Sequence, residues 1–204
     1  MNEKNLRISL LGVIIASILW SIVFLSDILF SFWIRVTAAS IILALFPYLS
    51  ADFKSNNDLQ FRLILIIKGL ISGMFLYLSF LFGFTMFKPF LQSGAVNVYL
   101  IKNESPLWFA AITLIITSIC EELFWRRFTQ SSMIHFLGSA KGIVITSLAY
   151  SLIHLPTLNG ALIVAALIAG MFWGIIYHQT NSFWIVALSH ITWTELIFIF
   201  LPLA

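Results

Sequence analysis

The 204-residue chain has a net charge of +3, 61% hydrophobic residues, only 9% charged residues and a mean hydropathy of +1.03. That leaves too little polar surface to cover a soluble globule of this size, and a small positive charge spread over loops gives no ground for nucleic-acid binding. A single cysteine, Cys120, excludes an internal disulfide and any multi-cysteine zinc site.

The apolar runs repeatedly approach the roughly 20 residues a helix needs to cross the hydrocarbon, and no period-two alternation suggests a barrel. The reading is an all-α integral membrane protein, a polytopic helical bundle of about seven transmembrane helices, six to eight. In chain order the spans fall at about 6–25, 28–49, 63–84, 107–128, 140–155, 161–177 and 183–203. The opening stretch from Met1 to Arg7 resembles the charged part of a signal peptide. The apolar run after it is long and lacks a small-residue cleavage site, so a retained first helix is expected. The stretch from Thr85 to Pro106, with Pro89, Gly94 and mixed polarity, reads as a connector, with an interfacial helix controlling lateral access as the alternative. The fifth and sixth spans are short and can stop inside the bundle. No repeat or long linker divides the chain, so one membrane domain, 1–204, is expected.

Lysine and arginine set the expected orientation. With the N-terminus in the cytoplasm, Lys4, Arg7, Lys54, Arg62, Arg126, Arg127 and Lys141 lie on or near that side, against Lys88 and Lys102 on the other. This predicts N-inside and C-outside, in a bacterial plasma membrane. Arg35 and Lys68 fall within apolar runs, where they can snorkel, pair or face the interior.

Seven polar side chains inside apolar spans carry the chemistry, because an ionisable group at membrane depth costs a few kcal/mol or more and is usually retained for function. Glu122 and Arg126, four apart, share a helix face and can pair. Glu121 points about 100° away and needs another partner. A poorly solvated carboxylate there suits a general base, whereas a wet helix end is the plainer reading. Cys120, beside it, reads as packing. Tyr150 and His154 are again four apart, in a helix that Pro156 ends, and the imidazole can take a proton from water or bind a metal. His190 lies deep in the last run and needs a buried partner; with Thr194 one turn on, it can offer donors to an oxyanion. Glu195 lies on a different face. Measured along their helices, Glu121, His154 and His190 lie about 10–20 Å into the membrane and can share one cavity opening to the cytoplasm.

These three elements, in this order on successive helices, resemble the intramembrane protease family of CAAX-processing and bacteriocin-processing or immunity proteins, called CPBP or Abi. The family patterns are Glu-Glu-x-x-x-Arg, Phe-x-x-x-His and His-x-x-x-Asn/Asp, against Glu121-Glu122…Arg126, Tyr150…His154 and His190…Thr194 here. Gly170, Gly174, Tyr177, Asn181 and Ser182 also look like the approach to the last motif, and the resemblance covers about 107–204 as a catalytic core. It implies that Glu121 and His154 activate water, that His190 and Thr194 bind the oxyanion, and that Glu122 and Arg126 support the first motif. Tyr150 in place of Phe adds a donor. Thr194 in place of Asn or Asp keeps a donor while weakening the case for metal ligation.

The resemblance implies an intramembrane endopeptidase, of glutamate or metallo type, acting on a membrane-tethered peptide or protein: a prenylated tail, a leader or a sorting segment. Glu121, His154 and His190 are the ligands expected for a divalent metal such as zinc, although water held by Glu121 and His154 needs no cofactor. Two other readings stay open: a non-catalytic immunity or scaffold protein, which would tolerate Glu121→Gln, and a small transporter.

Overall fold

The computed structural model describes residues 3–26, 30–49, 60 and 62–204, and every regular element among them is helical. Lys54, counted for the orientation, and the first residues of the second span, 28 and 29, lie outside the described residues. The helices are α1 (Glu3–Leu25), α2 (Phe32–Leu45, extended by a 3-10 turn Phe46–Leu49), α3 (Leu63–Met86) and α4 (Lys88–Leu100). They continue as α5 (Leu107–Glu122), α6 (Ser131–Leu137), α7 (Ser139–Leu152), α8 (Gly160–Thr180) and α9 (Phe183–Thr194).

The chain is a multi-pass integral membrane protein. Among the described residues, six segments are long and apolar enough to cross a bilayer: Glu3–Leu25, Phe32–Leu49, Leu63–Met86, Leu107–Leu137, Gly160–Thr180 and Phe183–Phe200. The expected fifth span, 140–155, is different. Helix α7 has 14 residues, about 21 Å of rise, and is closed by the 3-10 turn Leu155–Thr157 around Pro156, so the helix itself is shorter than the roughly 30 Å hydrocarbon core. The expected sixth span, by contrast, is a full 21-residue helix. The stretch between α3 and α5 folds as α4 with a 3-10 turn, Ile101–Glu104. Helix α4 has no buried residue.

Lipid-facing and inward faces separate cleanly on α3. Leu63, Ile67, Ile71, Phe75 and Phe82 are exposed, while Gly69, Gly73, Leu76 and Tyr77 turn inward. Gly69 and Gly73, four apart, bring α3 against α9: a Cβ on Gly73 would lie 2.6 Å from the Ser189 carbonyl oxygen, and one on Gly69 2.5 Å from Leu188 Cβ. Small residues at this spacing let two backbones approach within a lipid solvent that gives little hydrophobic drive of its own. Because α9 carries His190, this contact fixes the depth of the third motif.

The turns are equally local in origin. Gly138, at φ +80°, ends the long α5–α6 segment in a conformation that only glycine adopts without strain. Asn181, at φ +47°, closes α8 in the left-handed region, and its N–H donates to the Tyr177 carbonyl at 2.8 Å. One aromatic core, including Trp20, Phe124, Trp125, Tyr150, Trp173 and Trp193, runs through the bundle from α1 to α9.

The two ends of the bundle are unlike. At one end, Phe32 N–H donates to Glu104 Oε2 at 2.9 Å, Asn159 Nδ2 to the Gly94 carbonyl at 2.8 Å, and Leu203 N–H to Tyr99 Oη at 3.0 Å. The α1–α2 connection, α4, the α7–α8 turn and the C-terminal residues therefore gather there. Arg35 belongs to this end too: its guanidinium donates to the Val23 and Phe30 carbonyls at the close of α1. Glu3, at the start of α1, lies at the other end, with the α6–α7 and α8–α9 turns.

Candidate functional site

Helix α5 presents its two adjacent carboxylates to different surroundings. Glu122 is completely buried; its Oε1 accepts from His190 Nδ1 at 2.8 Å, and its Oε2 lies 3.3 Å from Arg126 Nε. Arg126 is itself buried, with its guanidinium carbon 4.7 Å from the Tyr150 ring centre and 5.4 Å from that of Trp173. Pairing with a carboxylate and lying over two aromatic faces offset the cost of removing this cation from water.

Glu121, as the 100° step requires, finds a partner elsewhere: the Tyr150 hydroxyl donates to its Oε2 at 2.8 Å. The tyrosine standing where the resembling family has phenylalanine thus ties the second motif to the first. His154 follows the end of α7, and its Nδ1 lies 3.0 Å from the Tyr150 carbonyl oxygen. A carbonyl can only accept, so Nδ1 carries the proton, and the neutral ring presents the Nε2 lone pair away from the backbone.

On α9, the His190 ring stacks on Trp173 with centres 3.8 Å apart. Its Nδ1–H is spent on Glu122, which fixes the ring's orientation. The Thr194 hydroxyl donates to the His190 and Ile191 carbonyls at 2.9 and 3.1 Å and meets the Ser118 hydroxyl at 3.3 Å. To serve an oxyanion, this hydroxyl must rotate away from those carbonyls.

Glu121, Tyr150, His154, His190 and Thr194 line one cavity of about 130 Å³. Glu122 and Arg126 do not line it; they stand behind its wall. Apart from Thr117 the remaining lining is apolar and comes from around the bundle, with Trp20 and Phe24 of α1, Phe32 and Trp33 of α2, and Leu162 and Ala166 of α8 among it. The cavity lies toward the α4 end of the bundle, away from Glu3, and not toward the end expected to be cytoplasmic.

Both α5 and α9 change winding as they leave the site. Leu123–Gln130 and Glu195–Phe200 are π-helical, each starting directly after a motif residue, Glu122 and Thr194. Wider turns of this kind are rare and recur at functional sites. They re-aim the side chains that follow, and Phe124, Trp125, Arg126 and Arg127 are all buried in the first.

Among the described residues, no three His, Cys, Asp or Glu side chains gather into a group able to hold a metal ion. Glu121, His154 and His190 share the cavity without forming such a ligand set. Ser118 and Trp173 were not anticipated from sequence. Ser118 lies one turn before Glu122, and Trp173 sits beside Gly174, so position alone hinted at both. Gly170 opens the room: a Cβ there would lie 3.2 Å from Tyr150 Cδ1.

Residues 103–195 match the family described as Type II CAAX prenyl endopeptidase Rce1-like. The match contains all three motifs and bears out the resemblance to CAAX-type proteases, while the three N-terminal spans lie outside it. Comparison with curated proteins and with solved structures returns no match. The matched family is one of endopeptidases, so the class of reaction it points to is hydrolysis of a peptide bond in a peptide or protein.

Proposed function

We propose that this chain is an intramembrane endopeptidase that cuts a membrane-tethered peptide or protein with water activated by Glu121 and His154. The observation that carries the reading is the convergence of side chains from all three motifs on one cavity whose other walls, Thr117 apart, are apolar.

In this mechanism the water binds between the Glu121 carboxylate and His154 Nε2 and gives up a proton as its oxygen attacks the scissile carbonyl carbon. The C–O bond forms, and the carbonyl π electrons move onto oxygen. Thr194, its hydroxyl once rotated, donates to that oxyanion, and His190, held at Nδ1 by Glu122, adds a donor from Nε2 when the ring carries a proton there. Collapse of the tetrahedral species breaks the C–N bond, and the proton held by the base passes to the leaving amine. Tyr150 holds Glu121; Glu122 and Arg126 hold His190. The dry, apolar walls strengthen each of these interactions.

We favour this metal-free form because the two acceptors it needs are already present. A zinc-dependent form would draw on Glu121, His154 and His190, and would lose activity to a chelator and regain it with added zinc. We propose an N-terminus in the cytoplasm, which the bias of lysine and arginine toward that end of the bundle supports.

The test compares membrane-protein termini by mass spectrometry in cells expressing the wild type or Glu121→Gln at equal levels. Precursors with uncut termini should accumulate in the mutant, and the missing terminus names the cut. A phenotype shared by both, with no terminus altered, would overturn the protease reading in favour of a scaffold or transport role.

A further inference from the structure

The catalytic cavity is too small for more than the atoms around a cut, yet it adjoins a larger space. A cleft of about 630 Å³ lies between α4 and the α7–α8 turn, and Phe24, Val98, Ile101 and Leu162 line both. That volume is typical of a ligand-sized cleft, about 300–1,000 Å³. Its lining contains no Asp, Glu, Lys or Arg.

Helix α4 is built as one wall of this cleft and little else. None of its residues is buried, and Phe87 and Phe90 at its start are 60% and 82% exposed, as suits an interfacial helix. It is held to the α7–α8 turn by the Asn159 hydrogen bond to the Gly94 carbonyl, with Asn159 Oδ1 also capping α8 at Leu162 N–H, 3.2 Å. Ser93 and Asn97, four apart, face the cleft from α4 and can bond to an extended peptide backbone.

The cleft lies at the α4 end of the bundle. Among the described residues the opposite end carries Lys4, Arg7, Arg62 and Lys141, whereas the α4 end carries Lys88 and Lys102 besides Arg35, which is spent on carbonyls. Basic residues concentrate on the cytoplasmic side. We infer that the proposed protease is loaded from the non-cytoplasmic face, through the cleft between α4 and the α7–α8 turn, and that its substrate is an exported, membrane-tethered polypeptide segment without charged residues next to the cut. This rests on the protease reading. It sets aside a prenylated tail displayed in the cytoplasm, because such a tail would meet the end of the bundle opposite the cleft.

The test uses the full chain in a Cys120→Ala background in intact bacterial cells, with a bulky membrane-impermeant maleimide as the probe. Leu158→Cys, in the α7–α8 turn and 90% exposed at the cleft, should react in intact cells, and its reaction should reduce formation of the Glu121-dependent terminus at least tenfold. Ser139→Cys, at the start of α7, should react only after the cells are opened. If Leu158→Cys processes poorly before labelling, Val164→Cys, which also lines the cleft, replaces it. Reaction of the cleft position only in opened cells, or full reaction in intact cells with processing unchanged, overturns the inference. If Glu121→Gln alters no terminus, the protease reading fails instead, and the labelling still decides which face the cleft opens to.

Discussion

The two halves of the molecule contribute to the cavity in different currencies. Helices α5, α7 and α9 supply its titratable groups, Glu121, Tyr150, His154 and His190, while α1, α2 and α4 supply apolar walls such as Trp20, Phe32 and Val98. The half that carries reactive side chains is also the half cross-braced by hydrogen bonds: Tyr150 to Glu121, His190 to Glu122, Ser118 with Thr194. The N-terminal half touches the cavity through van der Waals contact alone. Chemistry needs fixed positions, which directional bonds provide; shape selection needs only surfaces, which can vary without disturbing the reaction.

If that division holds, damage to the reacting half should be severe and general, and damage to the wall should be mild and substrate-dependent. The largest effect is expected at His154, whose ring is held at the Tyr150 carbonyl. His154→Ala should slow appearance of the cut terminus by about 10²–10⁴-fold with thermal unfolding in detergent unchanged; normal processing would remove His154 from the mechanism. Arg126→Ala should act through stability instead. It strands the buried Glu122 charge, at a cost of about 3–5 kcal/mol, seen as a lower unfolding temperature and reduced accumulation in the membrane. Arg126→Ala together with Glu122→Gln should recover part of that loss.

Smaller changes test the finer joints. Tyr150→Phe restores the family's residue and removes one hydrogen bond to Glu121; a bond to a charged group is worth about 1.5–3 kcal/mol, so a drop of roughly tenfold or more in cutting rate is expected, with folding retained. An unchanged rate would mean that Tyr150 does not position Glu121. The smallest effect belongs to the wall: Phe24→Ala enlarges both cavity and cleft, and should change the relative cutting of different substrates by only a few-fold, with the position of the cut preserved for each. A uniform, hundredfold loss would show that α1 takes part in the chemistry and would break the division between the halves.

Much of this site was legible because helical periodicity converts spacing directly into shared faces. Glu122 and Arg126 at i and i+4 pair as their spacing demands, and the same geometry turned Glu121 toward a separate partner. Composition likewise required a membrane bundle, since 61% hydrophobic residues have no other solvent. Three features were beyond local reasoning. The partner of Glu121 lies on α7 and that of Glu122 on α9, 29 and 68 residues away, so only the packing of helices could choose between the candidates. Pro156 marked the end of α7 in the sequence, but that this end lies against α4 depends on the α7–α8 turn, which an apolar run does not reveal. The end to which the cavity opens follows from which helix ends gather at α4, through bonds such as Asn159 to Gly94. Sequence by itself determined the solvent, the helices and the side chains able to do chemistry, because these depend on composition and on residues within a turn of one another. The tertiary structure alone decided which carboxylate faces the cavity and which is buried behind it, because that choice depends on side chains brought together from distant parts of the chain.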